Sequence, residues 1–217
     1  MTETLKSILA LTCAVPAAAG LIRMKVIEPA YRVLIYIFVA AVLVEVCGIF
    51  QETGYLDKDD TWQVDLFTIA NVLMHVYFFW KMNVVVNKKI ITAIITSLAL
   101  IYLVSIIYYD GYNGYCTIVA AIFSSIIILC LSIEGVIQYT FSNKTKWFTE
   151  TISVYCLINI LYTAQFVFIF SLRLTSLRAN RDLMDGVENI HSYLNAACNL
   201  LFTWPILCIP RRKKYMK

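Results

Sequence analysis

Apolar residues recur along the chain in seven runs separated by short polar connections. A membrane-spanning helix needs about 20 mostly apolar residues. The pattern predicts helices near 5–22, 31–50, 63–82, 90–108, 115–136, 148–171 and 189–209. Continuous runs of this length differ from the one-sided stripe of an amphipathic surface helix. The expected fold is all-α and integral to the membrane, a seven-transmembrane helix bundle forming one domain over residues 1–217.

The first run is the weakest, being short and containing Pro16 and the small stretch Ala17-Ala18-Ala19-Gly20. With Lys6 ahead of it, it also looks like a cleavable leader. Cleavage would carry Arg23, Lys25 and Arg32 outward, against the tendency of basic residues to stay in the cytoplasm. Residues 5–22 are therefore expected to remain as a span.

Within these runs a few polar side chains stand where polar groups are costly. Such residues in a membrane segment are candidates for function. At 1.5 Å per residue, Glu45 falls about 8 Å below one membrane edge, Gln165 and Asn195 about 9 Å, Asn71 about 12 Å, Asn199 about 15 Å and His75 about 18 Å. Asn71 and His75 are four residues apart and share a helix face, as do Asn195 and Asn199. Asn159, Tyr162 and Thr163 form a similar stripe. The plain reading is interhelical hydrogen bonding at about 1 kcal/mol per bond. The sharper one is a polar pocket open on one side, with Glu45, Asn71, His75, Gln165, Asn195 and Asn199 as ligand-binding candidates.

Glu45 is the residue that packing explains least, because hydrogen-bonded packing does not need a carboxyl. Its expected partner is His75 or an arginine of the 173–181 segment. Gly48, one turn on, is expected to admit a neighbouring helix closely. Glu134 and His191 read as interfacial residues, and 173–188 as a solvated connection.

Composition supports a membrane protein. Hydrophobic residues make up 60% and charged residues 15%, against roughly a quarter charged in soluble domains. Thirteen of the 18 lysines and arginines fall on one side of the seven-span arrangement. That side is expected to be cytoplasmic, with the N-terminus outside and the C-terminus inside. The net charge of +4 follows from this topology and does not point to nucleic acid. Trp62, Trp80, Trp147 and Trp204 lie near span ends, where aromatic belts form. The Arg211-Arg212-Lys213-Lys214 cluster reads as an anchor that also attracts anionic lipid.

Several chemistries lack their residues. The seven cysteines are scattered, with no paired or metal-ligand spacing. Residues 189–209 hold no lysine for retinal, and the Asp-Arg-Tyr and Asn-Pro-x-x-Tyr signatures are absent. No Gly-rich phosphate loop or serine-nucleophile motif occurs. No catalytic residue, metal or cofactor is expected, and an enzyme is disfavoured.

Three segments carry a resemblance: Val44-Glu45-Val46-Cys47-Gly48, Asn143-Lys144-Thr145-Lys146-Trp147-Phe148, and Ile190-His191-Ser192-Tyr193-Leu194-Asn195 with Asn199. In these the chain resembles a family of small seven-span bacterial inner-membrane proteins, distantly like the seven-span modules of bacterial sensor proteins. Val64-Asp65-Leu66-Phe67-Thr68 departs from that family's Tyr-Asn-x-Tyr-Thr. The resemblance implies a sensory or accessory protein of the bacterial inner membrane and gives Ile190-His191 added weight.

The expected function is a receptor-like or regulatory module that binds a small ligand or lipid and signals through a membrane or cytoplasmic protein. One alternative is a small-solute or proton-coupled transporter, with spans 1–3 and 5–7 as repeats and span 4 as linker. Another is a structural subunit of a membrane complex.

Overall fold

The computed structural model describes residues 3–53, 55, 62–85, 87–107, 115–141, 151–175 and 180–209. The described chain is all-helical, with about 90% of it in helix and no strand. Helices α1 (Glu3–Ala10) and α2 (Ala14–Arg23) are joined by a 3-10 turn at Leu11–Cys13 and read as one segment. A second 3-10 turn, Pro29–Tyr31, leads into α3 (Arg32–Glu52). There follow α4 (Trp62–Lys81), α5 (Lys88–Ile107), α6 (Tyr115–Phe141), α7 (Thr151–Arg173) and α8 (Arg181–Cys208).

Four of these segments are long and apolar enough to cross a membrane: Thr4–Arg23, Pro29–Gln51, Ile118–Tyr139 and Thr151–Arg173. Helix α5 contributes a shorter apolar stretch, Lys89–Val104. In α4 and α8 the residues that lower the hydropathy include Asn71 and His75, and His191, Asn195 and Asn199. These are the polar positions of the candidate site.

The helices close into a ring. The α1–α2 segment packs on α3 and α8, α3 on α4, α4 on α6, α6 on α7 and α7 on α8. The α6–α7 pair is the most extensive contact, while α5 lies at the edge against α6 and, slightly, α4. Gly135 explains the close pairing of α6 with α7. A Cβ placed there would lie 2.7 Å from Cys156 Sγ and 3.2 Å from Phe79 Cε1. The core is a column of rings, with Tyr155 against Phe78 and Phe202 at 5.4 Å each and Phe38 against Phe202 at 5.2 Å.

The break in the first segment has a local cause. Pro16 has no N–H to give the carbonyl of Thr12, and its ring crowds that carbonyl. The chain tightens just ahead of it, and the Thr12 hydroxyl donates to Leu9 O at 2.6 Å.

Two expectations change. The 173–188 connection is not simply solvated, because α8 already begins at Arg181. Asn180 caps it by accepting from Leu183 N–H at 3.1 Å, and Asp182 stands in the first turn, where a negative charge suits the helix dipole. Arg173 meets Glu188 at 3.1 Å. Gly48 admits no helix, since nothing lies within 4 Å of a Cβ built on it. The close approaches are at Gly135 and at Gly20, which faces Ile35. Residues 57–60, 108–114, 143–148 and 211–214 lie outside the described residues.

Candidate functional site

A cavity of about 320 Å³ opens inside the ring at the end where α3 and α7 finish and α4, α6 and α8 begin. Each helix contributes side chains at three- or four-residue spacing, as one face of a helix requires. Helix α3 supplies Ala41, Glu45 and Gly48, and α4 supplies Phe67, Thr68 and Asn71. Helix α6 supplies Ala121, Ser124 and Ser125, and α7 supplies Tyr162, Thr163, Phe166 and Phe170. Helix α8 supplies His191, Asn195 and Asn199, with Cys13 closing the wall from the 3-10 turn and Tyr102 from α5. Among the described residues of this lining, Glu45 is the one Asp, Glu, Lys or Arg.

The polar atoms divide into bonded and open ones. Asn199 Nδ2 donates to Thr12 Oγ1 at 3.2 Å, tying α8 to the broken turn, and lies 3.5 Å from Asn195 Oδ1. Asn159 Nδ2 donates to Ser132 Oγ at 3.0 Å, and Tyr102 and Ser124 share a hydroxyl pair at 3.2 Å. Against these, Asn71 Oδ1 and His191 Nδ1 are buried without a hydrogen-bond partner. Buried polar atoms are nearly always paired, with protein, water or ligand. Two unpaired ones in the lining of one cavity mark where a bound molecule or ordered water would sit.

A deeper hollow of about 40 Å³ adjoins the cavity and shares Asn71, Tyr162, Thr163 and Asn199 with it. His75 lies there, 4% exposed, rather than in the main cavity. Its Nδ1 is 2.8 Å from the carbonyl oxygen of Asn71 and its Nε2 is 2.8 Å from the Tyr155 hydroxyl. A carbonyl only accepts, so Nδ1 carries the proton and Tyr155 donates to Nε2. Both nitrogens are satisfied, and His75 is not the partner of Glu45. Nor is Arg173, which meets Glu188.

His191 is partly buried and lines the cavity. Its ring lies edge-on to Phe166 at 4.9 Å, with Nδ1 buried and facing no partner. Gln165 does not line the cavity, and both amide atoms are buried unpaired elsewhere on α7. The structure thus brings Glu45, Asn71, Asn195 and Asn199 together, moves His75 one level deeper and leaves Gln165 apart. His191 read from its position as interfacial and drew weight only from the resemblance, while Ser124-Ser125, whose hydroxyls interrupt an otherwise apolar run, was missed.

A third hollow of about 220 Å³ adjoins the cavity, sharing Glu45, Gly48, His191 and Asn195 and adding Lys6, Ser7 and Ser192. Among the described residues no group of three or more His, Cys, Asp or Glu could hold a metal ion. The described lining combines aromatic side chains, neutral hydrogen-bonding groups and one carboxyl. No protein-family model, curated protein or solved structure matches the chain.

Proposed function

We propose that the chain is a receptor-like membrane module of the bacterial inner membrane, with seven spans and its N-terminal end outside. Its ring cavity takes a small amphipathic ligand from the outer side. The seven helical segments, six in the ring and α5 at its edge, support the span count. The orientation rests on the charges: Arg23, Lys25, Arg32, Lys81 and Lys89 all stand at the end opposite the cavity, which the positive-inside tendency places in the cytoplasm.

The observation that carries the reading is the convergence of Glu45, Asn71, His191 and Asn195 on one cavity with two unpaired polar atoms. Pockets for small molecules are mostly apolar with a few placed polar groups, and this one has that make-up. Helix α8 offers the route for a signal. Its first half walls the cavity, and its last turn is held at the opposite end by Arg23, which donates to the carbonyls of Ile206, Leu207 and Ile209. A ligand that shifts α8 changes what a protein partner meets at the cytoplasmic face.

The test is a thermal-shift screen of the full chain in nanodiscs against cationic, neutral and anionic amphiphiles. Gly48→Leu serves as the blocked control, because its side chain enters open space. Ligands should raise Tm in the native chain and lose that effect in Gly48→Leu. An absence of stabilisers, or stabilisation indifferent to Gly48→Leu, would sink the reading. The deeper hollow favours a second reading, solute transport through the ring. Solute flux in proteoliposomes, abolished by Glu45→Gln, would select it.

A further inference from the structure

We infer that the cavity takes a small aromatic alcohol, one ring carrying a hydroxyl, and binds it with the hydroxyl inward against Asn71 Oδ1. The inference rests on the ligand-binding reading above and names its ligand class.

The anchor is an atom that needs a partner. Asn71 Oδ1 is buried and meets no donor, and an amide oxygen only accepts. The histidine one turn on cannot serve it. The Nδ1 proton of His75 goes to the main-chain carbonyl of Asn71, and its Nε2 accepts from Tyr155. Buried polar atoms are nearly always paired, so the occupant of the cavity supplies the donor. A hydroxyl brings a single donor to be paired, whereas a primary amine or amide brings two or three. Each is costly if buried without a partner.

The position of Asn71 fixes which end of the ligand leads. Asn71, Thr163 and Asn199 line both the main cavity and the deeper hollow, so the floor between the two carries polar groups. A detergent or single-chain lipid entering tail first would set methyl groups against that floor and leave Oδ1 unpaired. A ligand that leads with a hydroxyl satisfies it.

The wall beyond the floor is aromatic. Tyr162, Phe166 and Phe170 follow one another along α7 with ring centroids 5.1 and 5.7 Å apart. His191 of α8 stands edge-on to Phe166 at 4.9 Å. All four line the cavity. Aromatic pairs gain more than their buried area alone provides, so a flat ring extends this ladder better than an aliphatic chain does. The cavity, about 320 Å³, lies at the small end of ligand pockets and suits one ring rather than a lipid with two chains.

The experiment is calorimetry on the full chain in nanodiscs, corrected for partition into empty nanodiscs. The probes are 2-phenylethanol, its isomer benzyl methyl ether, which accepts but cannot donate, and 2-phenylacetamide. The alcohol should bind about three- to tenfold more tightly than the ether, the order of one net hydrogen bond, and more tightly than the amide. Asn71→Leu should bring the alcohol down to the ether while leaving the ether unchanged, which also shows that the cavity still forms. Phe166→Leu should weaken alcohol and ether alike and keep the preference between them. Equal binding of alcohol and ether in the native chain would mean that water alone meets Oδ1, and would overturn the assignment. So would tighter binding of the amide, a preference that survives Asn71→Leu, or no binding of the alcohol. The receptor reading fails separately, through the absence of any Gly48-sensitive stabiliser in the wider screen.

Discussion

The hydroxyl of Tyr155 on α7 donates to Nε2 of His75 on α4 across 2.8 Å. The same imidazole gives its Nδ1 proton to the Asn71 carbonyl one turn back. Both groups are buried, and the rings of Phe78 and Phe202 enclose Tyr155. The pair is thus a polar cross-brace within an aromatic core. Tyr155→Phe keeps the ring and leaves Nε2 unpaired, which should cost about 1–3 kcal/mol. Thermal unfolding of the detergent-solubilised protein measures this, with ligand affinity nearly unchanged. A large affinity loss without a stability loss would instead put His75 in the ligand site.

Gln165 presents the opposite case. Its amide is buried with neither atom paired, so the side chain carries a desolvation penalty without a compensating bond. Gln165→Leu should raise stability by about 1–2 kcal/mol and leave ligand binding as it was. A lower Tm would mean that the amide has partners in the membrane.

The glycines separate packing from cavity. Gly135→Ala forces a methyl against Cys156 and Phe79 between α6, α7 and α4. Overpacking of this kind should cost about 1–3 kcal/mol. Gly48→Ala meets nothing and should hold or slightly raise Tm, since alanine suits a helix interior better than glycine. Paired melts of the two variants decide the matter, and equal losses would contradict the described packing.

Arg23 holds the end of α8. Its guanidinium donates to Ile206 O at 2.7 Å and to Ile209 O at 3.1 Å, and also to Leu207 O. The Thr151 hydroxyl adds a bond to Cys208 O at 3.1 Å. These satisfy carbonyls that a helix end leaves unpaired. Arg23→Met keeps the apolar stem and should cost about 1–2 kcal/mol. Amide exchange in the last turn of α8, up to Ile209, should quicken, while exchange near Asn195 stays slow. Uniform quickening would show that Arg23 supports the whole bundle rather than one turn.

Much of this architecture was legible from the order of residues. Apolar runs with few charges leave the backbone no option in a bilayer except internal hydrogen bonding, and helices provide it. Helical periodicity likewise put Asn71 with His75, and Asn195 with Asn199, on shared faces. It could not say which neighbour each face would meet. Gly48 and Gly135 occupy similar apolar surroundings in the sequence, yet one borders a void and the other a packed cysteine.

The two histidines mark the division most clearly. By sequence alone, His75 in mid-run is the stronger ligand candidate, and His191 beside charged residues reads as interfacial. Tertiary structure reversed them, because Tyr155 lies opposite His75 and satisfies it, while His191 faces Phe166, which offers Nδ1 no acceptor or donor. The sequence by itself determined that the chain is helical, that it suits a membrane, and which faces are polar. Only the packing of α7 against α4 and α8 decided which polar groups were used up in bonds and which were left open around Glu45. Hydrogen-bond satisfaction is a property of pairs, and the pairs form between residues far apart in the chain.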